Sequence, residues 1–149
     1  MPQNDHQTPN DLNWLVECHF GGVQRREHDW VFTFEPEGAL VAECLWRLVE
    51  NNRICLTSAD EGQLFGLSTP IDAAAELRSR LTGASVTGVD LKTGTLDLRI
   101  LFSTGHVLEL FPDSSGYEAW SASRPGHMYV ATGGGELAIF DDAGVRVDR

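Results

Sequence analysis

At 149 residues, with 42% hydrophobic and 22% charged positions, the chain has the length and composition of one globular domain, enough to bury a core without disulfides or metal. Its formal net charge of -11 and pI near 4.7 exclude nucleic acid and anionic membranes as expected partners, because both bind a basic footprint. Cys18, Cys44 and Cys55 are odd in number and form no C-x-x-C, the N-terminus is polar, and no run has the length of a membrane span, so reduced thiols and a cytoplasmic location are expected.

Residues 1–10 are polar with two prolines and are expected to be flexible, leaving 11–149 as a single globular domain. Residues 11–16 read either as one helical turn or as the lead-in to a strand, since Asn10 or Asp11 can cap and Leu12, Leu15 and Val16 cluster. Gly21 and Gly22 then break the pattern before a strand over 23–28. Trp30, Phe32 and Phe34 alternate onto one face, and the turn chemistry of Glu35, Pro36, Glu37 and Gly38 returns the chain as a hairpin through 39–44. Segments 45–50 and 53–57 flank Asn51 and Asn52, which tolerate positive φ and suit a two-residue type I′ turn. A loop follows over 58–68, with room for a short strand at 63–65.

The one helix is expected over 70–82: Thr69 can cap it, Pro70 fills its first position, and Ile71, Ala74, Leu77 and Leu81 recur at helical spacing before Gly83. Beyond it, segments within 84–91, 95–102, 107–111, 117–120 and 136–140 alternate apolar and polar residues between turn residues, as antiparallel strands do.

The two halves of the chain match in order. Each has a short lead strand, an apolar strand ending in Phe34 or Phe102, a turn at Gly38 or Gly105, a strand containing Leu40 and Glu43 or Leu108 and Glu109, and a segment with Trp46 or Trp120. The expected fold is mainly β (α+β): two tandem antiparallel β-meander repeats, about 14–66 and 84–140, joined by the helix and packed as one sandwich-like or curved-sheet domain.

The motifs of common chemistries are weak. Gly133, Gly134 and Gly135 form a glycine-rich turn, but Glu136 follows where a phosphate loop needs Lys-Ser/Thr and a helix. The five histidines stand at no metal-ligand spacing and the cysteines join them in no zinc pattern, so no cofactor or metal is expected, although ligands assembled across strands escape such a search. His106 with Asp113, Ser114 and Ser115 is the nearest nucleophilic constellation, and nothing like a nucleophile elbow surrounds either serine. Asp60-Glu61 and Asp141-Asp142 are adjacent pairs, which on a strand point to opposite faces.

Read as a strand, 117–120 places Tyr117 and Glu118 on opposite faces, so that one of Tyr117 and Trp120 is core and the other is free to anchor a partner. From Ile100 through Val145 the only Lys or Arg is Arg124, against Glu109, Asp113, Glu118, Glu136, Asp141 and Asp142. Such a single-sign surface steers a basic partner.

Trp46-Arg47, the run from Gln63 to Gly66 leading to Pro70 through Ala74, Leu96 through Arg99, Gly116 through Trp120 and Gly134 through Ala138 resemble a family of small bacterial proteins known only as a domain of unknown function. The likeness covers nearly the whole chain after the first ten residues and brings no catalytic residue with it. What it implies is a small acidic protein of the style of immunity proteins encoded beside polymorphic toxins.

The expectation is therefore a non-enzymatic cytoplasmic binding protein, an immunity protein whose acidic second repeat covers a toxin's basic cleft through Asp113, Tyr117, Glu118, Trp120 and Glu136. The alternatives are a small hydrolase using His106 or His127, and a homodimeric structural or assembly protein built on exposed strand edges.

Overall fold

Alternating apolar residues decide the architecture, because a strand with one apolar face must bury it against a second layer. The computed structural model describes residues 11–148, so the segment 1–10, expected to be flexible, lies outside the described residues. The strands in chain order are β1 (His19–Arg25), β2 (Trp30–Glu35), β3 (Gly38–Ala42), β4 (Leu45–Glu50) and β5 (Arg53–Thr57). After α1 (Ala73–Leu81) come β6 (Val86–Leu91), β7 (Leu98–Phe102), β8 (Val107–Phe111), β9 (Trp120–Arg124), β10 (His127–Thr132), β11 (Glu136–Asp141) and β12 (Gly144–Asp148). They form two antiparallel sheets, one of seven strands in the order β1-β2-β3-β9-β10-β11-β12 and one of five in the order β5-β4-β8-β7-β6.

The sheets face each other through aromatic side chains. Trp46 of the smaller sheet meets Trp30 and Phe32 of the larger edge-on, at 5.1 and 5.7 Å between ring centroids. Phe34 lies parallel to Phe102 at 6.3 Å, and Phe20 abuts both rings edge-on. Leu77 and Leu81 of α1 join this core, fully buried.

Several expected boundaries move. The Gly21-Gly22 pair does not interrupt a strand: β1 starts at His19 and runs through it, with a register shift between Phe20 and Gly22 against β2. A register shift between Val86 and Gly88 sits at the corresponding place in β6 against β7. The loop expected over 58–68 adds no strand at 63–65, and its backbone is closed by Gly62 N–H donating to Ile71 O and Ile71 N–H donating to Gln63 O. The helix starts three residues later than Thr69 and Pro70 suggest, because Asp72 caps it by accepting from Ala75 N–H at 3.0 Å. Residues 11–16 take the helical option as a 3-10 turn at Asn13–Leu15. The Trp30 to Phe34 alternation and the Asn51-Asn52 turn are as expected, with φ of 53° and 64° at the two asparagines.

Neither self-contained repeats packed face to face nor one curved sheet describes the result. Each sheet draws strands from both halves: β9 pairs with β3, and β4 pairs with β8. The strands β9 at 120–124, β10 at 127–132 and β12 at 144–148 fall outside the segments expected from the sequence, where Arg124-Pro125-Gly126 and Asp142-Ala143-Gly144 hide short hairpin turns.

Candidate functional site

Four connections meet at one end of the sandwich: Glu43-Cys44 between β3 and β4, residues 92–97 between β6 and β7, 112–119 between β8 and β9, and 133–135 between β10 and β11. Backbone bonds tie them together, Glu43 N–H donating to Ala119 O and Ala119 N–H donating to Ala131 O. A Cβ at Gly133 would sit 2.5 Å from Gly116, and one at Gly135, where φ is +85°, would overlap Gly94 O. These two glycines therefore allow the loops to touch backbone to backbone. The Ser114 hydroxyl accepts from Gly116 N–H at 3.1 Å and Tyr117 N–H at 2.9 Å, which curls residues 114–117 into a turn.

This turn settles the two aromatics. Tyr117 projects with 81% of its surface exposed, whereas Trp120 opens β9 and is fully buried, its indole N–H donating to Leu96 O at 3.0 Å. The expectation that Trp120 anchors a partner is corrected: it is a core side chain that ties the β6–β7 turn to β9. The reason is local, since 117–119 are not strand and the assumed two-face alternation never applies.

The remaining expected residues lie in or directly beside these connections. Asp113 and Glu118 are exposed and Glu136 is half-buried. Glu118 reaches Glu43, and its carboxyl is raised above the ordinary 4.5 by burial first and then by that neighbouring acid. Asp113 and Asp97 flank Cys44, whose thiol is pushed up to about 12, chiefly by burial. Glu43, Asp97, Asp113 and Glu118 thus lie in these loops, Glu136 opens β11 directly after one of them, and Lys92 is the one Lys or Arg of the four connections.

The nucleophilic constellation does not assemble. His106 precedes β8 and Asp113, Ser114 and Ser115 follow it, so the length of a five-residue strand, roughly 16 Å, separates them. His127 lies in the β9–β10 hairpin, its Nδ1 3.3 Å from Pro125 O, with Asp141 nearby.

His106 has other neighbours, which spacing in the sequence does not reveal. Its side chain is 8% exposed and its Nε2 lies 3.5 Å from Glu50 Oε2, while Nδ1 is 2.8 Å from Thr104 Oγ1. Cys55 completes the group: one ligand atom each from Glu50, Cys55 and His106 lie within 4.8 Å of one another. Burial raises the Cys55 thiol and the Arg80 charge opposes that rise.

On the outer face of the smaller sheet, a groove of about 500 Å³ holds Arg47, Arg99 and Glu109. Arg47 Nε donates to Glu109 Oε1 at 2.6 Å, and Arg99 bridges Glu109 Oε2 at 3.3 Å and Asp90 Oδ2 at 3.2 Å. Each guanidinium there already faces a carboxylate, so the groove is not a ready anion clamp.

Comparison with protein families finds a match over residues 21–141 to one described as "Family of unknown function (DUF6188)". The chain belongs to this family. The match spans both sheets from β1 to the end of β11 and takes in the acidic loops, Tyr117 and the His106 group. No curated protein and no solved structure matches the chain. Among the described residues, no helix is long and apolar enough to cross a membrane.

Proposed function

We propose that the protein is a non-enzymatic cytoplasmic binding protein, an immunity protein that neutralises a cognate bacterial toxin by presenting its acidic loop end to a basic active-site cleft. The observation that carries this reading is Tyr117, 81% exposed on a braced turn at the end of the sandwich whose connections and adjoining β11 start carry Glu43, Asp97, Asp113, Glu118 and Glu136. A protruding aromatic on a rigid loop supplies contact area at low entropic cost, and the carboxylates speed encounter with a basic surface. Asp113, Glu118 and Glu136 are the charged contacts, with Glu43 and Asp97 added to them, and Trp120 supports the loops from beneath. The net charge of -11 and the three unpaired cysteines agree with a soluble partner in a reducing compartment.

The test is calorimetry against the polypeptide encoded beside this gene, at low and high salt. Tight binding that weakens with salt and drops at least tenfold in both Tyr117→Ala and Glu118→Arg supports the reading; unchanged affinity in both variants removes this surface from it.

A homodimer is the second reading, favoured by β12, an outer strand of the larger sheet whose Val145 and Val147 are 66% and 47% exposed. Pairing of two such edges would double the sheet, and light scattering showing a monomer at high concentration removes it.

We also read β1–β5 and β6–β10 as two copies of one unit that exchange their last hairpins. The sheet orders β1-β2-β3-β9-β10 and β6-β7-β8-β4-β5 correspond strand for strand, the two register shifts match, and Trp46 lies opposite Leu110 as Trp120 lies opposite Ala42.

A further inference from the structure

At the opposite end of β8 from the acidic loops, β4, β5 and the β7–β8 turn bring three metal-ligating side chains to one point. We propose that Glu50, Cys55 and His106 form a transition-metal site suited to Zn²⁺, with a carboxylate, a thiolate and an imidazole as protein ligands and water in the fourth position.

The decisive observation is His106. Its ring is buried, yet Nε2 has no hydrogen-bond partner and points at Glu50 Oε2 from 3.5 Å. A buried ring nitrogen left unpaired costs free energy unless something else occupies its lone pair. The 3.5 Å separation is also the edge of a tetrahedral zinc site, where bonds of about 2.0–2.3 Å set ligand atoms about 3.3–3.8 Å apart.

The other ring nitrogen is held as a metal-bound histidine requires. Thr104 Oγ1 lies 2.8 Å from Nδ1; with the proton on Nδ1 donating to that oxygen, the Nε2 lone pair faces the site.

The backbone aims Cys55. Between the pairs Leu48↔Leu56 and Val49↔Ile54 the β4–β5 register shifts, leaving Cys55 as the extra residue of a bulge. Without that bulge, alternation would send residue 55 and its partner to the outer face; with it, Cys55 packs against the core cluster beside Glu50. The thiol now donates to Leu48 O at 3.4 Å. On binding, the S–H bond breaks, the proton leaves to solvent and a sulfur–metal bond forms.

Arg80 is the nearest opposing charge. Its Nη1 lies 3.8 Å from Glu50 Oε1 and its Nη2 3.8 Å from Glu76 Oε1, so it takes one oxygen of Glu50 and leaves Oε2 toward His106. A ligating carboxylate braced through its second oxygen is the usual arrangement, and Glu76 offsets part of the repulsion between Arg80 and the ion.

The experiment is titration of the purified full chain with Co²⁺ alone, then displacement by Zn²⁺. A sulfur-to-cobalt charge-transfer band with tetrahedral ligand-field bands is expected, abolished in Cys55→Ser and His106→Gln and retained in Cys18→Ser and Cys44→Ser. Thr104→Val, which removes no ligand, should weaken Zn²⁺ binding about 10- to 100-fold. Far-UV circular dichroism establishes that each variant is folded, and Zn²⁺ should raise the melting temperature of the native chain but not of His106→Gln. No charge-transfer band, a band that survives Cys55→Ser, or Zn²⁺ binding weaker than about 1 mM overturns the proposal. None of these outcomes touches Tyr117 or the acidic loops.

Discussion

Phe34 and Phe102, each the aromatic near the end of its strand, stack on one another across the two sheets at 6.3 Å with their planes 11° apart. Both are buried, and Phe20 packs edge-on against each. Truncating either ring removes a large buried side chain at about 3–5 kcal/mol. Because the rings touch, the costs of Phe34→Ala and Phe102→Ala should fail to add, with a coupling of about 0.5–3 kcal/mol in urea denaturation. Strict additivity would show that the halves do not lean on this contact.

The helix cap separates two readings of one stretch. Asp72→Ala should cost about 1 kcal/mol of stability, as loss of an N-cap does. Thr69→Ala, at the residue that sequence pattern nominates, should stay within about 0.5 kcal/mol of the native chain. Chemical denaturation of both variants checks the pair, and the reverse order would place the helix start at Thr69.

Tyr117 and Trp120 should part cleanly. Trp120→Ala is expected to destabilise by about 3–5 kcal/mol through cavity formation, with further loss from the orphaned Leu96 carbonyl, while Tyr117→Ala leaves thermal stability nearly unchanged. Differential scanning calorimetry distinguishes them, and equal melting temperatures would contradict the burial of Trp120.

Gly135→Ala sets a side chain against Gly94 O in a left-handed backbone conformation. It should destabilise by about 1–3 kcal/mol and speed hydrogen exchange in the 92–97 turn, which holds Gly94, relative to β4. Exchange accelerated uniformly over the chain would mean the glycine is not a local brace for that turn.

Two carboxyl groups should respond to pH with opposite signs. Glu118 is raised in the folded protein, by burial and then by Glu43, so its stabilising contribution is complete below the unfolded value of 4.5 and is lost as pH rises through the folded value. Asp29 is lowered, chiefly by the Arg26 hydrogen bond, so its contribution is present above the unfolded value of 3.8 and is lost as pH falls through the folded value. Urea midpoints from about pH 3 to about pH 7 should show Glu118→Gln gaining on the native chain as pH rises and Asp29→Asn losing ground. Parallel curves for all three proteins would refute both assignments.

Local chemistry by itself determined the parts of this protein whose cause is local. The Trp30-Phe32-Phe34 alternation names a buried face because side chains on a strand repeat every two residues, and Asn51-Asn52 names its turn because both residues accept positive φ. The acidity of the loops around Tyr117 is legible too, since charge is a property of composition. What the tertiary structure decided depends on distant partners. Trp120 is core because Leu96 O and the opposed sheet receive it, and Asp72 outcompetes Thr69 once the 61–71 loop is bonded shut. The two halves exchange strands because β3 and β8 each find their edge partner in the other half. His106 lies far along the chain from Glu50 and Cys55, which share one hairpin, and only a bulge in β5 and the pairing of β4 with β8 bring the three ligand atoms within 4.8 Å of one another.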